Sequence, residues 1–461
     1  MSHAGRAIRR IDRRHLQALI GTEAAAYAAR NPKSQELFGG AKHLFGAVPM
    51  TWMNKWVGGF PLYLDSAHGN EVISVDGHRY TDFALGDTGA MTGHSPAPTV
   101  AAAIQRLQTL GGVSTMMPTG EAEEVAAHLA RRFGLPLWSF TLSATDANRW
   151  AIRLARMVTG RSKVLAFSYG YHGTVDETFA VMGPSGETLP RPGGVGAPGR
   201  IVDTTRAAEF NDLESVERAL AHGDVAVVVT EPALTNIGIV LPKPGFLEGL
   251  RALTRRHGAL LLIDETHTFS ASYGGATRLW GLQPDIFTIG KCLGSGIPSG
   301  AYGISEELEQ RIQRARADCD LVDVGGIGGT LAGNALSVAA MKATLEEVLT
   351  PEAFDGMLAL ATRFTDGVSA AIRKYEVPWT IAQLGARAEY RFTNPAPQSG
   401  TEAARSQDDQ LDEFMHLFML NREIMMTPFH NMALMCPHST VQQVDRHTEV
   451  FHDALKVLTQ H

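Results

Sequence analysis

The stretch GALLLIDETHT, residues 258–268, decides the fold, together with DIFTIGKCLGSG, residues 285–296. In each stretch a short apolar run is followed at once by polar and glycine residues, a pattern that predicts a buried strand of a parallel sheet. Asp264 ends the first run, and Lys291 follows the second. Because ligands bind at the carboxyl ends of strands in α/β sheets, we expect both side chains at one ligand-binding edge.

A carboxylate and a lysine at that edge suit pyridoxal phosphate (PLP). The lysine forms the Schiff base with the cofactor aldehyde, and the carboxylate keeps the pyridine nitrogen protonated so that the ring accepts electrons. A lysine at a strand end is more often a solvated cap, so the pair gains weight only with the surrounding motifs.

Size and composition describe a large globular protein. The 461 residues are enough for a large and a smaller domain, and the net charge of −7 argues against a nucleic-acid partner. Three cysteines without metal-ligand spacing predict no metal site and a reducing, cytoplasmic setting. No run is apolar enough for a membrane span.

The N-terminal basic cluster fits a solvated helix packed on a partner subunit, with a transit peptide or anion patch as alternatives. It comprises Arg6, Arg9, Arg10, Arg13 and Arg14.

Strand and helix patterns alternate through the middle of the chain, which predicts an α/β fold with a mostly parallel, doubly wound sheet. We predict an N-terminal helix and small-domain meander over 1–95, a large domain over 96–348 and a C-terminal α+β domain over 349–461. The dipeptide Asp76-Gly77 marks a hairpin in the meander. Residues 61–64 and 433–436 are expected as strands, and 182–199, rich in glycine and proline, as an irregular loop.

The DETHT and GKCLGSG segments, with GGTLAGN at 328–334, resemble the class III aminotransferases. This PLP-dependent, fold-type I group includes glutamate-1-semialdehyde aminomutase and the β-amino-acid and ω-transaminases, and the likeness runs from about Phe45 to the C-terminus. It implies a small α+β domain built from both termini and a homodimer with shared active sites. It also implies that Lys291, Asp264 and Tyr171 are catalytic.

The segment SATDAN, residues 143–148, precedes a helical run. A helix start exposes unpaired amides that can hold a phosphate, although an ordinary N-cap is the simpler explanation. By resemblance the segment binds the PLP phosphate, with Ala144 and Asp146 replacing the usual Gly and Glu. The full predicted cofactor set is Ser143, Ala144, Thr145, Tyr171, His172, Glu231, Asp264, His267, Lys291 and Thr330.

The resemblance gives individual roles to several of these residues. Tyr171 is expected to stack on the pyridine ring, and Glu231 to orient neighbouring donors. His267 stands where some relatives have a glutamine bonded to the phenolic oxygen; a structural histidine bonded to a carbonyl is equally compatible. Thr330 is expected to reach the phosphate of the neighbouring subunit, with a glycine-rich bend as the alternative.

The implied activity is transamination between an amine or amino acid and a keto acid, aldehyde or ketone through a Lys291 aldimine. The alternative is an aminomutase of the glutamate-1-semialdehyde type, or a racemase, on the same scaffold. A non-catalytic PLP-fold protein is disfavoured by the intact Lys291, Asp264 and Thr330.

The substrate pocket is expected near Met50, Trp52 and Phe429. Met50 stands near the position of an expected carboxylate-binding arginine, and a second expected arginine is also missing around 427–431. This favours an apolar pocket for hydrophobic amines. In the opposing interpretation, another cation binds the carboxylate; the candidates are Lys55, Arg387, Arg391 and His430.

Overall fold

The computed structural model describes residues 11–196, 199–316 and 319–460. Arg6, Arg9 and Arg10 of the basic cluster, and residues 197–198 of the expected loop, lie outside the described residues. Arg13 opens the first helix and donates to Asp408 Oδ1 at 2.9 Å.

The helices, in chain order, are α1 Arg13–Arg30, α2 Pro32–Gly40, α3 Ala97–Ile104, α4 Gly120–Phe133, α5 Ala144–Thr159, α6 Ile201–Thr204, α7 Leu213–Leu220, α8 Phe246–His257, α9 Gly275–Leu279, α10 Glu306–Ala315, α11 Ala335–Ala343, α12 Pro351–Tyr375, α13 Gly400–Arg405, α14 Asp409–Leu420 and α15 Val441–Leu458. The strands are β1 Leu64–His68, β2 Glu71–Ser74, β3 Arg79–Asp82, β4 Leu137–Thr141, β5 Lys163–Phe167, β6 Ala180–Met182, β7 Thr188–Pro190, β8 Thr205–Ala208, β9 Val225–Thr230, β10 Leu260–Asp264, β11 Ile286–Ile289, β12 Gly300–Ile304, β13 Thr380–Leu384, β14 Arg387–Arg391, β15 Ile424–Met425 and β16 Met432–Leu434.

The chain forms two compact units. The first contains the chain up to Pro96, Glu352–Pro397 and the chain from Ser406 on; the second contains Ala97–Pro351 and Gln398–Arg405. The segment Gln398–Arg405 was expected in the small C-terminal domain. It belongs to the second unit because Asn211 donates to the Gln398 carbonyl at 2.9 Å and Ala403 packs in that unit's core.

A seven-stranded sheet, in the order β4-β12-β11-β10-β9-β5-β8, forms the centre of the second unit. Its strands are parallel except β12, which runs antiparallel to β4 and β11. Alternate residues of the inner strands enter different cores: Val228 and Leu261 pack under α7 and α8, while Val227 and Leu262 pack under α5. Helices therefore cover both faces, which confirms the doubly wound, mostly parallel α/β prediction.

The first unit contains two small sheets, in the orders β1-β2-β3-β15 and β13-β14-β16. The predicted hairpin is present, with Gly77 at φ +84° donating to the Ser74 carbonyl at 2.8 Å. The strand expected at 61–64 begins only at Leu64, where pairing with Ser74 starts. The strand expected at 433–436 is β16, Met432–Leu434, because these are the residues that pair with β14.

The segment 182–199 is not wholly irregular, because β6 and β7 pair as an antiparallel hairpin between Ala180 and Pro190. Within the described ranges, none of the helices combines the length and apolarity needed to cross a lipid bilayer.

Candidate active site

Asp264 lies at the end of β10 with its carboxylate buried among three donors. Oδ2 accepts from Asn148 Nδ2 at 2.9 Å and lies 3.0 Å from His172 Nδ1, and Oδ1 accepts from the Thr266 amide at 3.0 Å. Burial raises the pKa of Asp264, but the bonds from His172, Thr266 and Asn148 outweigh it and hold the pKa below its ordinary value. The carboxylate is therefore ionised at neutral pH, and His172 Nδ1 carries the proton in their contact.

The parallel pairing of β10 with β11 brings Lys291 to the same edge. Asp264 pairs with Thr288, three residues before the lysine. Lys291 has φ +42°, a left-handed conformation that costs a non-glycine residue on the order of 1–3 kcal/mol. Its Nζ lies 2.9 Å from Nε2 of the buried His267. One nitrogen of this pair donates a hydrogen bond to the other.

The N-terminus of α5 lies directly against the residue before the lysine. A Cβ placed on Gly290 would be 2.8 Å from the Ala144 amide nitrogen, so only glycine allows this approach. The Ser143 hydroxyl caps the helix, accepting from the Asp146 amide at 3.2 Å. Backbone amides at the start of α5, rather than the Ser143 side chain, are therefore the groups available for an anion.

The loop after β5 packs on this helix start. Gly173, at φ +76°, lies so close to Thr145 that a Cβ would overlap the threonine hydroxyl, and Thr174 N donates to that hydroxyl at 3.2 Å. The ring of Tyr171 is half-buried and lies edge-on to Phe179 at 6.4 Å between centroids. Glu231 is buried after β9 and accepts from the Thr235 hydroxyl.

These residues fit the phosphate, ring and aldehyde of PLP. The buried Thr266 hydroxyl, beside Asp264, has no hydrogen-bond partner among the described residues, so a polar group is accommodated there. The open helix terminus suits a phosphate, and the ionised carboxylate suits a protonated ring nitrogen. Burial raises the pKa of the adjacent Cys292 to about 12, which keeps its thiol protonated and unreactive.

Thr330 is not assembled with this group. It is exposed in the turn before α11. Four predicted pocket residues belong to the first unit. There the ring centroids of Trp52 and Phe429 lie 5.9 Å apart, and the sulfur of Met50, two residues before Trp52, accepts from the Trp52 amide at 3.2 Å.

Arg387, the fourth pocket residue, is 1% exposed and donates to the Thr88 hydroxyl, with Asp87 Oδ1 at 3.8 Å. Its charge is thus already compensated within the first unit. Arg391 donates to Ser406 at 2.9 Å, and His430 Nδ1 lies 3.3 Å from Glu389. Lys55 is exposed.

Several supporting residues escaped the sequence reasoning. Asn148 bonds Asp264 and also accepts from the Thr288 hydroxyl at 2.7 Å, which ties α5 to β11. Ser295, Thr99 and Thr344 form a hydroxyl cluster, with the latter two 2.9 Å apart, that anchors the chain after Lys291. Asn148 could have been found from the sequence, because it is a polar residue one turn into α5 on the face toward the sheet. The hydroxyl cluster joins segments that are distant in the chain, so no local sequence pattern indicates it.

Comparison with known proteins agrees with this geometry. Residues 52–455 match the family model described as aminotransferase class-III. Over 434 residues the chain is 34% identical to glutamate-1-semialdehyde 2,1-aminomutase 2 of Brevibacillus brevis, covering 92% of this chain and 98% of that one.

Solved structures give the same result. A glutamate-1-semialdehyde aminomutase of Pseudomonas aeruginosa PAO1 superposes with a TM-score of 0.94 at 43% identity, covering 97% of this chain and 99% of the other. A lysine-to-alanine variant of that enzyme was solved in complex with PMP. An omega-transaminase of Sphaerobacter thermophilus gives a TM-score of 0.84 at 27% identity, covering 94% and 100%.

Proposed function

The chain belongs to the class III aminotransferases, which use PLP, and on that premise we propose that it is an aminomutase of the glutamate-1-semialdehyde type. Such an enzyme exchanges an amino group and a carbonyl between neighbouring carbons of one skeleton. The sequence by itself favours a transaminase with an external acceptor. Similarity to aminomutases across nearly the whole chain supports the alternative instead.

The observation that carries the chemistry is the edge shared by Asp264 and Lys291. When bound there, PLP supplies an electrophilic carbon for the amine and a ring that accepts electrons. Asp264 stays ionised, because its three donors hold its pKa low, and so offers a negative charge to a ring N–H. The amine of Lys291 would carry a proton between a substrate carbon and the cofactor carbon that bears the transferred nitrogen.

His267 acts on the substrate through Lys291. Its Nε2, 2.9 Å from the lysine Nζ, accepts a proton from the ammonium or donates one to the free amine. His172 and Asn148 hold the carboxylate of Asp264 in place rather than taking part in proton transfer. The half-buried Tyr171 borders the site and would offer an aromatic face to the cofactor ring.

We further propose a homodimer in which Thr330 completes the partner's site. The second unit exposes large apolar side chains in two segments, Met116 at 80%, Met117 at 69%, Val322 at 93% and Val324 at 78%. Apolar exposure of this extent is typical of an interaction surface. Thr330, itself exposed, lies six residues after the second of these segments. The three cysteines are free thiols, which supports a reducing, cytoplasmic setting.

The test is acceptor dependence. Purified PLP-loaded enzyme is incubated with glutamate-1-semialdehyde and no keto acid, and formation of the 5-amino-4-oxo isomer is followed by mass spectrometry. Many turnovers per site support the aminomutase. Turnover that stops at one equivalent per site and resumes with added pyruvate would overturn it in favour of a transaminase, the function named for the Sphaerobacter structure.

A further inference from the structure

The proposed substrate carries a carboxylate, and the predicted pocket residues Met50, Trp52 and Phe429 offer it no positive charge. A carboxylate held in a partly dry pocket needs a cation or several donors. Among the described residues of the second unit, which contains Lys291 and Asp264, an arginine has a setting that meets this need. It is Arg191, in the glycine- and proline-rich segment after β7.

The guanidinium of Arg191 is held beside the tyrosine loop. Its Nη1 donates to the Gly170 carbonyl at 3.2 Å, and Gly170 immediately precedes Tyr171. The guanidinium carbon lies 5.4 Å from the centre of the Tyr169 ring. The Arg191 amide donates to the Phe179 carbonyl at 2.8 Å, so the β6–β7 hairpin fixes the backbone from which the side chain extends.

Arg191 forms no ion pair among the described residues. Within that part of the chain, no carboxylate lies within 4.0 Å of it, and the bond to Gly170 is the one hydrogen bond of its guanidinium. Burial lowers the pKa of Arg191, although Tyr169, Tyr171 and Glu231 act in the opposite direction, so an anion bound directly to the guanidinium would be favourable. The other N–H groups of the guanidinium fork are available to bind two oxygens of a carboxylate.

Arg191 lines a cavity of about 560 Å³, which Thr174 and Phe179 also line. Of the three acidic residues around this cavity, Glu177 pairs with Arg156 at 2.8 Å and Asp176 faces Arg149 at 3.8 Å, while Asp203 is exposed. Each paired acid therefore has another cation, and none of the three pairs with Arg191. Arg200 also lines the cavity, but it is exposed.

We propose that Arg191 is the carboxylate receptor of the substrate, and that the segment following β7 therefore sets a preference for amino-carbonyl compounds that bear an acid group. This inference rests on the proposed function, since it deepens the identity of the substrate. Arg191 does not take part in proton transfer; it positions the substrate.

The test compares two substrates of the holoenzyme that differ only in the acid group, 5-amino-4-oxopentanoate and 1-aminopentan-2-one. Arg191→Gln is expected to lower kcat/KM for the acid by roughly 10- to 100-fold, mainly through KM, as for loss of a charge-assisted bond. The methyl-ended compound should react equally with both enzymes. Arg191→Lys should recover part of the loss, and Arg218→Gln, the control at an exposed arginine of α7 outside this cavity, should change neither value.

A second readout avoids catalysis. Calorimetric titration of the PLP-loaded protein with glutarate should show binding that weakens in Arg191→Gln and not in Arg218→Gln. If Arg191→Gln keeps full preference for the acid and full glutarate affinity, or if Arg218→Gln loses as much, the receptor assignment is wrong while the aminomutase proposal stands. If wild-type enzyme fails the acceptor test yet Arg191 binds glutarate, the proposed function alone is wrong.

Discussion

The side-chain nitrogen of Lys291 lies 2.9 Å from Nε2 of His267, in the same unit and at the same sheet edge as Asp264. The sequence suggested that His267 donates to the phenolic oxygen of PLP or bonds a backbone carbonyl. The contact with Lys291 adds a third role, since it couples the histidine to the group that transfers the proton.

His267→Phe removes the hydrogen-bond partner of Lys291 and should lower kcat about 10-fold. This is less than the effect of removing a group that itself transfers the proton. His267→Gln, which keeps a donor and an acceptor, should recover most of the rate. The measurement is the single-turnover rate of PLP-loaded enzyme, with the visible spectrum recorded to show that cofactor is bound. Equal rates in wild type and His267→Phe would remove the role.

Asp264→Asn should lower kcat by roughly 100-fold or more, because a neutral amide cannot stabilise a positive ring nitrogen as a buried carboxylate does. The variant keeps the shape of the side chain but turns an N–H group toward buried donors, so the thermal midpoint should also fall, and kcat is compared at a temperature where both enzymes are folded. Glu214→Gln, which neutralises an exposed carboxylate of α7, is the control and should retain activity. An Asp264→Asn enzyme with wild-type kcat would contradict the assignment.

Lys291→Ala should bind PLP without turning over substrate, because the covalent attachment and the proton-transferring amine are both lost. Borohydride reduction followed by peptide mass spectrometry should find a pyridoxyl adduct on the Lys291 peptide of wild type and none in the variant. Lys342→Ala, at a half-buried lysine paired with Glu124, should keep the adduct. Wild-type protein without the adduct on that peptide refutes the entire PLP assignment.

The double variant Met116→Asp and Val324→Asp should dissociate the proposed dimer, because burying two carboxylates in an apolar interface is unfavourable. Sedimentation velocity should report a monomer, and PLP retention should fall if Thr330 acts across the interface. Leu279→Asp, at a residue 55% exposed elsewhere on the second unit, is the matched control. A double variant that sediments like wild type would place the interface elsewhere.

His447 should make the protein less stable in acid. The centroid of its buried ring lies 4.3 Å from the ring centroid of Phe364 and 5.7 Å from that of Phe83. Neither ring nitrogen has a hydrogen-bond partner among the described residues. Burial lowers its pKa from 6.5 to about 3. Below pH 6.5 the imidazole is therefore protonated in the unfolded chain but stays neutral in the folded chain. The free energy of unfolding is highest above pH 6.5 and falls as the pH drops toward 3.

His447→Phe should remove this acid sensitivity. Between pH 7.5 and pH 5 the free energy of unfolding of wild type should fall by about 2 kcal/mol more than that of the variant. Urea denaturation at the two pH values measures the difference. The exposed His222 gives the control, because His222→Gln should leave the wild-type pH dependence in place. Equal pH dependence in wild type and His447→Phe would rule out the effect.

The sequence determined the sheet and the reactive pair. Strands β5, β9 and β11 are where their apolar runs predict, and Asp264 and Lys291 lie at the same edge because parallel strands in register end there. Strands β4, β8 and β12 were missed. Their sequences, LWSFT, TRAA and GAYGI, are interrupted by polar or glycine residues, so none forms the continuous apolar run that predicts a buried strand.

Only the tertiary structure decided what surrounds the pair. His172, Asn148 and Thr266 come from three segments of the chain, and no local pattern shows that they converge on one carboxylate. The same holds for the contact of His267 with Lys291 and for the setting of Arg191. Local hydrophobic periodicity encodes strands and helices, whereas hydrogen bonds between distant segments exist only once the chain has packed.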